Sequence, residues 1–196
     1  MKRTSEQERG ANLVEFAIVV PIIILVVIGI LEVGVAFRDL LTVSNAAKEG
    51  VRIVAAMGDD PMADCVAITK TASAVASSVP LANLIDIAIF RADEDGNQTG
   101  DTNTYRLRGG GDPAECGDWT PDPTRDPTHP SWDWSPLDRQ VVFGLDPSDP
   151  EYRPLDIVGV RVRYTHNWIT GFPPFTGSFV IDEATVSRIE PEEYLR

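Results

Sequence analysis

Arg9-Gly10-Ala11-Asn12-Leu13-Val14-Glu15-Phe16-Ala17-Ile18-Val19-Val20-Pro21 opens an apolar block that ends near Phe37. No residue from Phe16 to Leu31 is charged, and between Leu13 and Phe37 only Glu15 and Glu32 are. A bilayer core takes about 20 mostly apolar helical residues. Residues 11–37 therefore predict a membrane-spanning helix. An acid near the centre of a bilayer costs roughly 2.5–3.5 kcal/mol on insertion scales, and less near the interface. Glu15 thus needs either a cation to meet it or a route to the headgroups from the helix end. Pro21 would cost about 3 kcal/mol in a helix in water. In a membrane helix it is tolerated, because neighbouring groups re-satisfy the carbonyl it frees.

Lys2, Arg3 and Arg9 precede the apolar block. The positive-inside rule puts the N-terminus in the cytoplasm and everything after the block outside. A secretory signal peptide also has a basic start and an apolar centre, and Gly34-Val35-Ala36 resembles a small-residue cleavage site. The run is longer than the usual ~7–15 apolar residues of such a peptide, which also has no use for an acid at Glu15. An uncleaved single-pass anchor that presents the outer domain as a binding module is the alternative.

The order of a basic leader, Gly10, then Glu15 and Phe16 at the fifth and sixth positions after it resembles the processing site of type IV pilins and pseudopilins. Within that class the stretch from Gly10 to Pro21 is similar to the TadE/TadG-like pseudopilins of tight-adherence (Flp-type) pilus systems. Asn45-Ala46-Ala47-Lys48-Glu49-Gly50-Val51-Arg52 resembles the segment after the membrane helix in that family, and Glu183 to Pro191 resembles its closing strand. The close likeness covers residues 9–56 and, more loosely, 156–191. It implies a leader at 1–10, cleaved between Gly10 and Ala11 by a prepilin peptidase, and a mature N-terminus at Ala11. Glu15 would then lie one helical turn from the new amine. The resemblance implies that Glu15, with Phe16 beside it, serves assembly by pairing with the terminal amine of a neighbouring pilin or pseudopilin on the pilus assembly platform. The expected place is the cytoplasmic membrane, single-pass, with pilus association.

From Arg38 onward there are 14 basic and 26 acidic residues, a net charge of −12. That excludes the basic footprint of a nucleic-acid binder and disfavours docking on anionic lipid beyond the helix itself. The two cysteines, Cys65 and Cys116, both lie beyond the apolar block. An oxidising compartment lets a disulfide persist, so a Cys65–Cys116 bridge is one expectation and two unbridged thiols the other. Neither has a Cys or His at ligand spacing, which argues against metal.

The outer domain, 38–196, reads as follows. Leu40, Val43, Ala47, Val51 and Val54 continue the helix to about Met57 with one apolar stripe, and Gly58 caps it. Asp60-Pro61 predicts the start of a second helix running to Val79, with Cys65, Ile68, Ala72, Val75 and Val79 on its buried face. Leu84–Arg91 predicts a strand, Asp93–Asn97 a hairpin turn at Asp95-Gly96, and Tyr105–Arg108 the return strand. The Asp93-Glu94-Asp95 acids do not fit the calcium-loop spacing. Residues 109–155 hold nine of the fifteen prolines together with Trp119, Trp132 and Trp134. They predict a long loop held down by its aromatics, with one short strand at Gln140–Phe143. Trp132 and Trp134 as a sugar- or peptide-binding platform is the other reading of that stretch. Asp156–Trp168 and Phe179–Ile189 are the last strands. The fold class is α+β, with about four mostly antiparallel strands, and the resemblance implies a pilin-like layout. No catalytic constellation, cofactor loop or metal motif stands in the sequence, so no enzyme is expected.

Overall fold

The computed structural model describes residues 3–141 and 154–190, with side chains from Leu13 onward. Helix α1 runs unbroken from Arg3 to Met57 and passes through Pro21. Residues 3–10 are thus part of the helix. Thr4 to Glu8 contain no helix breaker. Gly58, at φ +57°, ends the helix and its N–H reaches the Val54 carbonyl at 2.9 Å. This is the glycine cap its position predicted.

Helix α2 spans Ala63–Ala76, shorter than expected at both ends. Asp60 caps a turn instead of the helix: its carboxylate accepts the Met62 N–H at 2.7 Å and its carbonyl the Ala63 N–H at 2.9 Å. The strands are β1 Leu84–Ala92, β2 Gln98–Leu107, β3 Trp119–Thr120, β4 Ile157–Asn167 and β5 Ser178–Arg188, in spatial order β3-β2-β1-β4-β5. Strand β1 pairs antiparallel with both neighbours, Ile87 opposite Tyr105 and Val162, and Ile89 opposite Asn103 and Val160. The fold is α+β, with five strands in place of four.

The described residues form two compact units. One is α1 up to Arg38 with Asn167–Ser178; the other is Asp39–His166 with the chain from Phe179. In the second unit the predicted stripes meet in one core. Val43, Ala47, Val51 and Val54 of α1 cluster with Ile68, Ala72 and Val75 of α2 and with Val158, Val160, Val162 and Tyr164 of β4. Each large aliphatic side chain so buried stabilises by roughly 1.5–3 kcal/mol. Gly50 marks the closest approach: a Cβ there would collide with Thr71 Oγ1 and stand 3.1 Å from Val160 Cγ1. Arg161 and Arg163 lie on the other face of β4, half-buried.

The β1–β2 turn is tight. Asp93 accepts the N–H groups of Asn97 at 2.8 Å and Asp95 at 3.0 Å, with Gly96 at φ +83°. These bonds, the Asn97 N–H foremost, hold the Asp93 carboxyl below the usual carboxylate range. Strand β2 begins seven residues before the expected Tyr105. Its Thr- and Asn-rich half lacks an apolar alternation, because its one fully buried position there, Asn103, enters a polar cluster.

The Pro-rich stretch is pinned by its tryptophans, as the loop reading had it. Trp119 and Tyr105 are wholly buried, and Trp119 pairs with Leu107. The binding-platform reading of Trp132 and Trp134 fails. Trp134 is buried, and the Trp132 ring is covered by the Arg125 guanidinium at 3.6 Å. Gln140 and Val141 are not in a strand; the rest of the predicted Gln140–Phe143 strand lies outside the described residues. The short strand of this region is β3, too brief to leave a periodic signal. Cys65 and Cys116 are joined by a disulfide, Cα–Cα 5.5 Å, which ties the loop to α2.

Candidate anchoring and assembly site on the N-terminal helix

Helix α1 forms because nothing in it but Gly and Pro21 opposes a helix, and its first half has no face to bury. From Leu13 to Leu31 it is exposed almost all round, with Phe16 at 68% exposure. An apolar helix with no stripe and no cover is the pattern of a span in lipid. The segment has a peak mean hydropathy of 3.0 and is long enough to cross a membrane. Twenty-five residues from Leu13 to Phe37 make about 37 Å of helix, against a hydrocarbon core of about 30 Å.

Glu15 and Phe16 are both exposed on this surface. Gly10 and Ala11 lie in helical backbone. Glu15 stands four residues after Ala11, about 6 Å along the axis. Gly10 is the least helix-favouring residue of its turn, by about 1 kcal/mol relative to Ala, so unwinding the backbone costs least there.

The second acid is handled differently. Glu32 is buried, and its carboxylate accepts the backbone N–H of Ile169 at 3.0 Å and of Thr170 at 2.6 Å. Both donors belong to the β4–β5 connection. Sequence reasoning noted Glu32 but gave it no partner. The available signal was the charge-free stretch from Asn167 to Ile181, rich in Trp, Phe and Pro. On the same side of α1, Phe175 packs 3.6 Å from the place a Gly29 Cβ would occupy. An open apolar groove of about 570 Å³ lies beside it, lined by Val26, Gly29, Ile30, Val33, Phe37 and Phe175.

In the second unit, two buried polar sites were not foreseen. Asp39 pairs with His166, Oδ2 to Nδ1 2.8 Å. Asp64, also wholly buried, accepts from Arg139 and from the Tyr105 hydroxyl, and Asn103 Nδ2 reaches it at 3.2 Å. Arg139 also donates to the Gly58 carbonyl at 3.3 Å. Burial first, then the Asp64 carboxylate, pushes the Tyr105 phenol well above its ordinary value. Among the described residues no group of three His, Cys, Asp or Glu is placed to hold a metal ion.

Residues 10–52 match the sequence model of the TadE-like protein family. Over this segment the chain is similar to TadE-like proteins. The matched TadE-like segment takes in Gly10, Glu15, Glu32 and the α1 stripe as far as Val51. It supports a component associated with tight-adherence pili, and the apolar helix within it fits a single-pass membrane anchor. No curated protein and no solved structure matches the chain.

Proposed function

We propose that this chain is a TadE/TadG-like pseudopilin: a minor or accessory component of tight-adherence pilus assembly, with no enzymatic activity of its own. A prepilin peptidase cuts it between Gly10 and Ala11. The helix 11–37 holds it in the cytoplasmic membrane, with the N-terminus cytoplasmic and the domain 38–196 outside. Other pilins or pseudopilins and the assembly platform are its partners. The observation that carries this reading is the exposed Glu15 on an uncovered apolar helix, one turn after Ala11. A carboxylate in that setting is stabilised when a cation meets it and heavily penalised otherwise, and the amine freed at Ala11 on a neighbouring subunit supplies the cation.

N-terminal sequencing of protein extracted from membranes, with and without the prepilin peptidase, tests the reading. The expected result is Ala11 as first residue only when the peptidase is present. A leader retained in both strains overturns it and leaves the uncleaved anchored binding module.

A further inference from the structure

The β4–β5 connection, 167–178, has the wrong composition for a loop in water. From Asn167 to Ile181 it has no charged residue. Ile169 is 68% and Phe172 50% exposed, while Trp168 and Phe175 pack ring to ring at 5.1 Å. The loop forms one compact unit with the apolar half of α1. It meets that helix at Glu32 and Gly29, six and nine residues before Arg38, or about 9 and 13 Å along the axis. If a 20-residue core starts as early as Leu13 it ends at Glu32, so Gly29 with Phe175 against it still lies inside by about 4 Å.

We propose that 167–178 is a second membrane-contacting element, seated in the leaflet nearest Arg38 beside α1, its occupant being lipid. The proposal rests on α1 being a membrane helix. Irregular backbone is excluded from lipid unless its polar groups are already paired. Here five of the N–H groups are. Ile169 and Thr170 donate to Glu32, Phe172 to Thr170 Oγ1 at 3.4 Å, Phe175 to the Phe172 carbonyl at 2.7 Å and Thr176 to the Pro174 carbonyl at 3.1 Å. Pro173 and Pro174 have no N–H to pair. The same contact solves the problem of Glu32. Hydrogen bonds to a charged group are worth roughly 1.5–3 kcal/mol each, so two of them offset the insertion cost of one acid. Trp168 then occupies the interfacial position that Trp favours, Ile169 and Phe172 face acyl chains, and the groove along Val26, Ile30, Val33 and Phe37 is filled by lipid tails.

The test uses the full chain, disulfide intact, in phosphatidylcholine vesicles at low protein-to-lipid ratio. A polarity-sensitive fluorophore is placed on the single free thiol of Phe172→Cys or, separately, Ile169→Cys. Ile22→Cys in the span and Glu94→Cys in the exposed β1–β2 turn are the references. The expected result is blue-shifted emission at both loop positions, quenching by nitroxide-labelled lipid, more by a shallow than a deep nitroxide, and loss of the iodide quenching seen at Glu94→Cys. Iodide quenching without lipid quenching in the loop, while Ile22→Cys is lipid-quenched, overturns the proposal and leaves the anchor intact. Shielding from both quenchers means a second copy covers the loop, which also overturns it. Absence of lipid quenching at Ile22→Cys as well removes the membrane reading of α1, and this proposal with it.

Discussion

Glu15 and Glu32 lie on the same helix and ask the same electrostatic question, yet the chain answers only one of them by itself. Glu32 has backbone donors from Ile169 and Thr170; Glu15 is exposed. Removing each acid should therefore have opposite consequences. Glu15→Ala is expected to leave membrane insertion intact or improved, yet abolish recovery of the protein with its assembly partners in pull-downs from detergent extracts. Normal recovery would remove the role assigned to Glu15. Glu32→Ala is expected to spare assembly contacts at Glu15 but strip two donors of their acceptor, seen as faster amide exchange at Ile169 and Thr170. Asp64 and Arg139 are both fully buried. Breaking such a pair from one side costs roughly 3–5 kcal/mol, so Arg139→Met should lower domain stability by that order in denaturant titration. Tyr105 ties the same cluster to pH. Its raised folded value means its contribution is fully present below the unfolded phenol value of about 10 and is lost as pH climbs through the folded value. A 295 nm titration should show this phenol ionising only as the domain unfolds.

At the scale of elements, the parts that packed against apolar neighbours could be read from spacing, and the parts held by polar contacts could not. Val43, Ala47, Val51 and Val54, or Val158 through Tyr164, announce their buried faces because one period of one residue class decides them. The N-terminal half of β2 hides Asn103 in a carboxylate-centred cluster, so its pattern looks like a solvated strand. The start of α2 fooled the capping rule because Asp60 bonds Met62 locally, an arrangement open to the same side chain. Trp134 and Trp132 carried the right signal, aromatic weight in a Pro-rich stretch, without saying which faces inward. The disulfide closes a loop of sequence separation 51. In the chain-entropy description such a bridge stabilises by about 4 kcal/mol. Cys65→Ser with Cys116→Ser should therefore lower the melting temperature of the domain measured by calorimetry, whereas an unchanged value would mean the aromatic anchors alone hold the loop.

For the molecule as a whole, residues 10–52 carry the family signal. The roles proposed for Gly10, Ala11, Glu15 and Phe16 rest on the sequence, where a charge in a greasy helix has few explanations. The loop at 167–178 was not legible there, because its meaning depends on which part of the chain it meets. Fractionation of tagged protein between sheared pili and membranes is expected to leave most of it with the membranes, as suits an accessory component; a predominantly filament-borne pool would assign it to the pilus shaft.

The Cys65–Cys116 bridge also keeps a record. Glutathione and thioredoxin hold cytosolic thiols reduced, while secreted and periplasmic surroundings let sulfurs join. With the domain outside the membrane, as proposed, a molecule stalled before export stays open and one whose domain has emerged becomes closed. The ratio of slow to fast bands on a non-reducing gel thus counts how many copies have crossed, in living cells and without a tag.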